Sequence, residues 1–314
     1  MGKYEYLICG SAGVNKFFMV DELPREGTTV YFDNDEFDKL HFGGPGLNIA
    51  YLLGKLGVGV VPMLCETAGK QYQPELEKIL TDCGMPLDAM TPPDRDLPHY
   101  AVLIQDRHHH HMTICQQFVG TSAAEQNMDE KWFAEIRQAV VCANAPQNIR
   151  LFLNRAEKYC NDVIFSVKTD PVMFPDDVVK RLLKLTTILF MNEKEAGHIL
   201  SVAGAKDIGG LFDNGKLTEV VVTAGERGST VYTKNGEIRY VAVTPSERCV
   251  DGTGVGDAYV AGYLYGKANQ LPPGDCARLA STLASFIIEM VGDITNAPTL
   301  DELIERNNSR RDLQ

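Results

Sequence analysis

The chain has 314 residues, of which 44% are hydrophobic and 23% charged, a balance that fits a globular protein with a sizeable core. A formal net charge of −12 argues against nucleic acid as a partner, which needs a clustered Lys/Arg surface. It leaves room for a single nucleotide held by main-chain N–H groups and a metal ion. No apolar stretch reaches the ~18–20 residues of a membrane span, and the first residues lack a signal-peptide layout, so a cytoplasmic protein is expected.

Residues 6–9 form an apolar run that predicts a buried strand, closed by a turn at 10–13. Between 28 and 42, β-formers alternate with acids, which predicts exposed antiparallel strands outside the core. The glycine break at 43–46 leads into helical apolar spacing over 47–56, stopped by Gly57. A second exposed strand pair is predicted at 100–105 and 112–118, joined through 106–111.

From about residue 130, helices are predicted at 132–141, 176–185 and 193–200, and strands at 163–167, 187–190 and 219–223. A hairpin at 229–243 and helices at 257–269 and 275–291 follow, and the run at 307–312 reads as a frayed end. This alternation predicts an α/β fold with a mostly parallel sheet and helices on both faces, in one domain over 1–314. The two polar β segments, about 15–42 and 98–118, do not fit that sheet and predict a small discontinuous lid over a ligand site. Eight dispersed cysteines without a Cys-x-x-Cys pair suit reduced thiols. His108-His-His-His111 reads as a solvated lid turn rather than a metal site, because consecutive strand residues point to opposite faces.

The segment with the clearest chemistry is Gly252-Thr-Gly-Val-Gly256, followed by Asp257 at a helix start. A glycine turn feeding a helix N-terminus presents unpaired N–H groups to a phosphate, or to the charge that develops during its transfer. Asp257 could take the proton of an attacking hydroxyl; standing alone, it would also read as a helix cap.

Asp251-Gly-Thr-Gly-Val-Gly-Asp257 resembles the Asp-Thr-x-Gly-Ala-Gly-Asp signature of the ribokinase/PfkB-like kinases, with Gly252 and Val255 in place of two usual residues. The resemblance implies a ribokinase-like three-layer α/β/α sandwich, ATP with Mg²⁺, Asp257 as base, and an anion hole at Gly254, Val255 and Gly256. It implies a monovalent cation such as K⁺ beside Asp251. Gly43-Gly-Pro-Gly-Leu-Asn48-Ile-Ala50 is similar to the family's acceptor-pocket signature and implies acceptor contacts from Gly43, Gly44 and Asn48. Asn192-Glu-Lys-Glu195 is similar to the family's Asn-x-x-Glu, which orients magnesium through its water shell; the same spacing also makes a capping box. Val222-Thr-Ala-Gly225-Glu-Arg-Gly228 implies ATP contacts from Thr223, Gly225 and Gly228.

Two departures qualify the likeness. Asn15 stands where relatives carry an Asp that holds sugar hydroxyls, and Ser166 falls at the end of a strand where many carry an Asp. Lys168 adds a positive charge that either faces the transferred phosphate or is solvated. The expected reaction moves the ATP γ-phosphate to a primary hydroxyl of a nucleoside or sugar, by a monomer or a homodimer formed through the lid. Segments 252–258 and 284–292 look more like adenosine and nucleoside kinases than ribokinases. A sugar kinase and a non-catalytic regulatory protein are the alternatives; an NAD-dependent oxidoreductase is disfavoured because Gly10-Ser-Ala-Gly13 lacks Gly-x-Gly-x-x-Gly.

Overall fold

In β1 (Tyr4–Ser11), Tyr6 and Ile8 face one hydrophobic core while Leu7 and Cys9 face another, and all four are fully buried. A strand whose two faces are both apolar belongs inside a sheet covered on both sides. The computed structural model describes residues 2–32, 35–65, 68–108, 110–116, 128–159, 162–168, 170–213 and 215–309. After β1 come β2 (Gly13–Val20), β3 (His41–Gly43), α1 (Pro45–Lys55), β4 (Val60–Cys65), α2 (Gly69–Thr81), β5 (Tyr100–Asp106) and β6 (His111–Cys115). The chain continues with α3 (Glu130–Glu135), β7 (Ile136–Val141), α4 (Pro146–Tyr159), β8 (Val163–Ser166), α5 (Asp176–Leu185), β9 (Thr186–Asn192) and α6 (Glu193–Ala203). It closes with β10 (Glu219–Thr223), β11 (Ser229–Thr233), β12 (Ile238–Val241), α7 (Val255–Ala268), α8 (Pro273–Ile287) and α9 (Leu300–Ser309).

The large sheet has eight strands in the order β12-β11-β10-β9-β8-β7-β1-β4. From β4 through β10 neighbouring strands run parallel, and β11 and β12 add an antiparallel hairpin at the far edge. Side chains of α1, α2, α7, α8 and α9 share one core, and those of α3 to α6 share the other, which makes the three layers. Alternation carries through the sheet: Val140, Ile164 and Val221 enter the first core, while Val141, Phe165 and Val220 enter the second.

A second sheet of four strands, β3-β2-β5-β6, forms the lid. Its make-up differs from the sequence expectation. Among its described residues, the span 28–42 contributes only the start of β3 and a bridge from Phe32 to Val20, and the main lid strand is β2. Three rings, Phe18, Phe32 and Phe37, pack together at 4.7–5.4 Å between centroids and account for the apolar positions read there as strand. The pairing is mixed, since β2 and β5 run parallel.

The helix expected over 132–141 stops at Glu135, and Ile136–Val141 is a buried strand. Ile136, Val140 and Val141 are β-branched, and their neighbours in the sheet outweigh the helical spacing. Pro62 is tolerated in β4 because that strand lies at the sheet edge. The segment 307–309 is helical rather than frayed, with Asn307 buried and accepting from Thr282; residues 310–312 lie outside the described residues. Expected strand residues 117 and 118 also lie outside them, as does His109. Among the described residues no helix is long and apolar enough to cross a membrane.

Candidate active site

Parallel strands leave their connections at their carboxyl ends, and a crevice opens where neighbouring connections depart in opposite directions. Here that place is β1, which sits between β4 and β7. A cavity of about 420 Å³ lies there, between the end of β1, the start of α1, the loop before α7, and the lid. The lid contributes Ala101, Leu103 and Gln105 from β5 and His111, Thr113 and Cys115 from β6. Their two-residue spacing puts all of them on one face of the small sheet.

Two helix N-termini converge on this cavity. α1 begins after Gly44, with Pro45 at its first position, where a missing N–H removes no helical bond. Asn48, in its first turn, is 1% exposed. Its Nδ2 donates to Asp257 Oδ2 at 2.7 Å and to Asp293 Oδ2 at 2.8 Å. Asn15 of β2 donates from Nδ2 to Asp293 Oδ1 at 2.6 Å. The two carboxyls and two carboxamides thus form one network joining the lid, α1, α7 and the loop after α8.

α7 begins after Gly254, whose φ of 74° is left-handed. Its first-turn amides have no intrahelical carbonyl, although the Val255 N–H makes a long 3.4 Å turn bond to Gly252 O. Asp257 is the third residue of this helix and is half-buried. Asp251 shapes the preceding turn: its Oδ1 accepts from Thr253 N and Oγ1 at 2.9 and 2.7 Å, and its Oδ2 from Gly292 N at 2.9 Å. Those bonds occupy most of the carboxylate expected to hold a monovalent cation. Among the described residues no group of three or more His, Cys, Asp or Glu is placed to hold a metal ion.

A Cβ added at Gly254 would lie 2.8 Å from both the Cα and the main-chain oxygen of Asp293. Gly254→Ala therefore combines a left-handed residue, about 1–2 kcal/mol, with a main-chain collision that shifts Asp293. The variant is expected to unfold at lower urea and to lose turnover together with acceptor binding; unchanged values for both would mean the turn adapts freely.

A second cavity of about 180 Å³ adjoins the first. Ser166, Val167, Cys142 and Gly256 line it alone, while Pro45, Ala143, Lys168, Gly254 and Asp257 line both. Asp257 thus stands at the neck between the two spaces. Burial raises its pKa above the ordinary aspartate value, against the Asn48 hydrogen bond and the Lys168 charge, which lower it. Asp293 is pushed up to about 7, chiefly by burial; the charges of Asp257 and Asp251 add to this, and the amides of Asn48 and Asn15 oppose it.

Apart from Lys168, which lines both cavities, the residues expected around the nucleotide lie along the same carboxyl edge but outside the lining of these two spaces. Asn192 and Thr223 are cross-strand partners at the ends of β9 and β10. Asn192 and Glu195 form the capping box of α6, with bonds of 2.8 and 2.9 Å. Gly225 and Gly228 bound the turn into β11, both at positive φ. His108 and His110 belong to a turn closed by Asp106, which accepts from both main-chain amides and meets the His110 ring at 3.0 Å. His111 departs from the solvated reading in one respect, since it also lines the larger cavity.

Sequence reasoning missed Asp293. It follows Gly292, whose φ is 99°, and its partners Asn48 and Asn15 lie 245 and 278 residues away. Only the juxtaposition in space reveals it.

Compared with known proteins, the chain matches the pfkB family carbohydrate kinases over residues 28–300. It belongs to that family. The PfkB kinases are phosphotransferases, and the position of Asp257 suits that chemistry. A nucleoside kinase of Methanocaldococcus jannaschii is 24% identical over 99% of both chains. One of Methanothermobacter thermautotrophicus is 25% identical over 96% of this chain and 95% of the relative. Among solved structures, the Burkholderia thailandensis nucleoside kinase in complex with inosine superposes with a TM-score of 0.82 at 23% identity, covering 98% of each chain. The Cryptococcus neoformans ribokinase in complex with ADP gives 0.81 at 19% identity, covering 96% of this chain and 99% of that one. These likenesses establish the ribokinase-like fold, with its lid sheet, for this PfkB kinase.

Proposed function

We propose that this PfkB kinase transfers the γ-phosphoryl group of ATP to the primary hydroxyl of a nucleoside. The observation that carries the reading is Asp257 at the neck between the two cavities, one under the lid and one beside the first turn of α7. The acceptor would occupy the larger cavity and the transferred phosphate the smaller. Asp257 would take the hydroxyl proton as the oxygen attacks the γ-phosphorus and ADP departs. A base whose pKa is raised by burial is closer to the working pH, which favours that transfer.

The first-turn amides at Gly254, Val255 and Gly256 would receive the negative charge of the transition state, with Lys168 at the same neck. ATP would extend along the carboxyl edge past Asn192, Glu195, Thr223, Gly225 and Gly228. A bound Mg²⁺ would neutralise phosphate charge, and Glu195 would be the carboxylate that orients its water shell. Glu195 also caps its own helix, so both roles would fall on one side chain.

The nucleoside preference is supported by the near-full-length relatives named nucleoside kinases and by the neighbour whose structure holds inosine. The cavity adds to it. Its volume lies within the ~300–1,000 Å³ of small-molecule pockets, and the lid wall mixes apolar Leu103 with Gln105 and His111, a surface suited to a heteroaromatic base. ADP release measured across nucleosides, pentoses and hexoses tests the reading. Turnover of nucleosides is expected to exceed that of free sugars. Turnover of sugars alone would make it a sugar kinase, and nucleotide binding without any turnover would make it a regulator.

A further inference from the structure

A single base does not account for the second carboxyl buried beside it. Asp293 is 4% exposed yet lines the larger cavity. An ionised carboxylate is costly to bury unless hydrogen bonds compensate it. Here two carboxamides do so, one on each oxygen, from Asn15 and Asn48. Asn48 Oδ1 is itself buried with no hydrogen bond among the described residues, a penalty that an apolar side chain would avoid. What Asn48 contributes is therefore its N–H groups. Gly43 leaves the space for this arrangement, since a Cβ there would collide with Asn15 Nδ2 and approach Asp293 Oδ2 to 2.8 Å.

A carboxylate can accept about four hydrogen bonds, so each Asp293 oxygen keeps capacity after taking one amide N–H. Two such oxygens side by side suit two neighbouring hydroxyls. The Asn48 nitrogen also spans Asp293 Oδ2 and Asp257 Oδ2, which sets the two carboxyls about 5 Å apart at ordinary hydrogen-bond lengths. That is the scale separating an exocyclic primary hydroxyl from the ring hydroxyls of one sugar.

We propose that Asp293 is the acceptor-binding carboxylate of this kinase: it receives two vicinal hydroxyls of the sugar ring, and Asn15 and Asn48 are its positioning residues. The inference rests on the proposed reaction for the placement of the primary hydroxyl at Asp257, and on the cavity alone for the binding of the diol. It assigns Asn15 a purpose as well. Its amide cannot stand in for a carboxyl group, but it holds the one that Asp293 supplies.

Calorimetry with adenosine, 2′-deoxyadenosine, 3′-deoxyadenosine and D-ribose tests the assignment, with ADP binding as the check that each variant is folded. The parent is expected to bind adenosine about 10–100-fold more tightly than either deoxy analogue. In Asp293→Ala that ratio is expected to fall toward one, with ADP affinity retained and the acceptor KM raised far more than the ATP KM. The exchange Asn15→Asp/Asp293→Asn puts the carboxylate on the other side of the same bond, and is expected to recover part of the discrimination. If Asp293→Ala fails to fold, the single variant Asp293→Asn carries the test, since discrimination equal to the parent without the Asp293 carboxylate would overturn the assignment. Discrimination equal to the parent in Asp293→Ala would likewise overturn it and leave the kinase reading intact. Diol-dependent binding that requires Asp293 without any phosphorylation would uphold the assignment and defeat the reaction. Binding of none of the probes by the parent would defeat both.

Discussion

Asp257→Asn is expected to lower kcat by about 10²–10⁴-fold, the usual contribution of a positioned general base. The variant should still bind ADP, because the residues proposed to hold the nucleotide, from Asn192 to Gly228 along the carboxyl edge, are untouched by the substitution. It should also stay folded. The oxygen of the new amide can accept the Asn48 N–H that Asp257 Oδ2 accepts at 2.7 Å, so the network need not open. A half-buried carboxyl with a raised pKa is removed at the same time, together with its repulsion of Asp293. The melting temperature near neutral pH is therefore expected to match or exceed that of the parent. Product formation, ADP binding and thermal melting measured on one preparation check all three statements. A variant that turned over at the parent rate would place the base elsewhere.

Stability of the ligand-free protein is expected to fall as pH rises through the window between the ordinary aspartate value of 3.8 and about 7. In that window the unfolded chain has lost the Asp293 proton and the folded chain keeps it, so raising the pH favours unfolding. The contribution is complete below 3.8 and gone above about 7. Each proton retained is worth about 1.4 kcal/mol per pH unit. Asp257 is shifted in the same direction, and the two carboxyls, joined through Asn48, titrate as a pair. Asp251 adds like charge from the loop ahead of α7, and the His41 ring stands behind Gly292 on the lid side.

Urea unfolding across this range compares the parent with Asp293→Asn, in which the slope should flatten. The slope is the proper readout, since swapping the carboxyl for an amide also turns an N–H toward one of its two donors and shifts stability by a constant. An identical slope in both proteins would mean that the pair does not hold a proton in the folded state.

Much of the α/β frame was legible because its signals are local. α5 and β10 begin and end at the residues predicted from apolar spacing, and the glycine turn before α7 announces a helix N-terminus without any tertiary information. β7 was not legible as a strand, because Trp132, Phe133 and Ile136 repeat at helical spacing and a helix does exist over Glu130–Glu135. The lid was misplaced for a related reason. Phe32 and Phe37 alternate like strand residues, yet they stack on Phe18 instead of pairing in a sheet.

Asn48 and Asp257 could be singled out from motifs, but their mutual hydrogen bond could not. Asp293 carried no motif at all, and its meaning comes entirely from Asn15 and Asn48. Asn15, read alone, stands where relatives carry a carboxylate. The structure puts a carboxylate against it from the opposite end of the chain.

That closure of the chain on itself has a consequence for how the protein is made. β1, the first strand, is an interior strand, and the Tyr6 hydroxyl donates to Leu264 O across 258 residues. Asn15 and Asn48 leave the ribosome early and meet Asp257 and Asp293 only after the remaining sheet has been synthesised. Until then the two amides have no carboxylate to hold, and the Tyr6 face of β1 lacks α7, α8 and α9 from its core. Contacts of such long sequence separation make folding slow and leave apolar surface exposed on the way. Activity should therefore emerge late and all at once during synthesis. A nascent chain halted before residue 251 would hold much of the sheet and none of the chemistry.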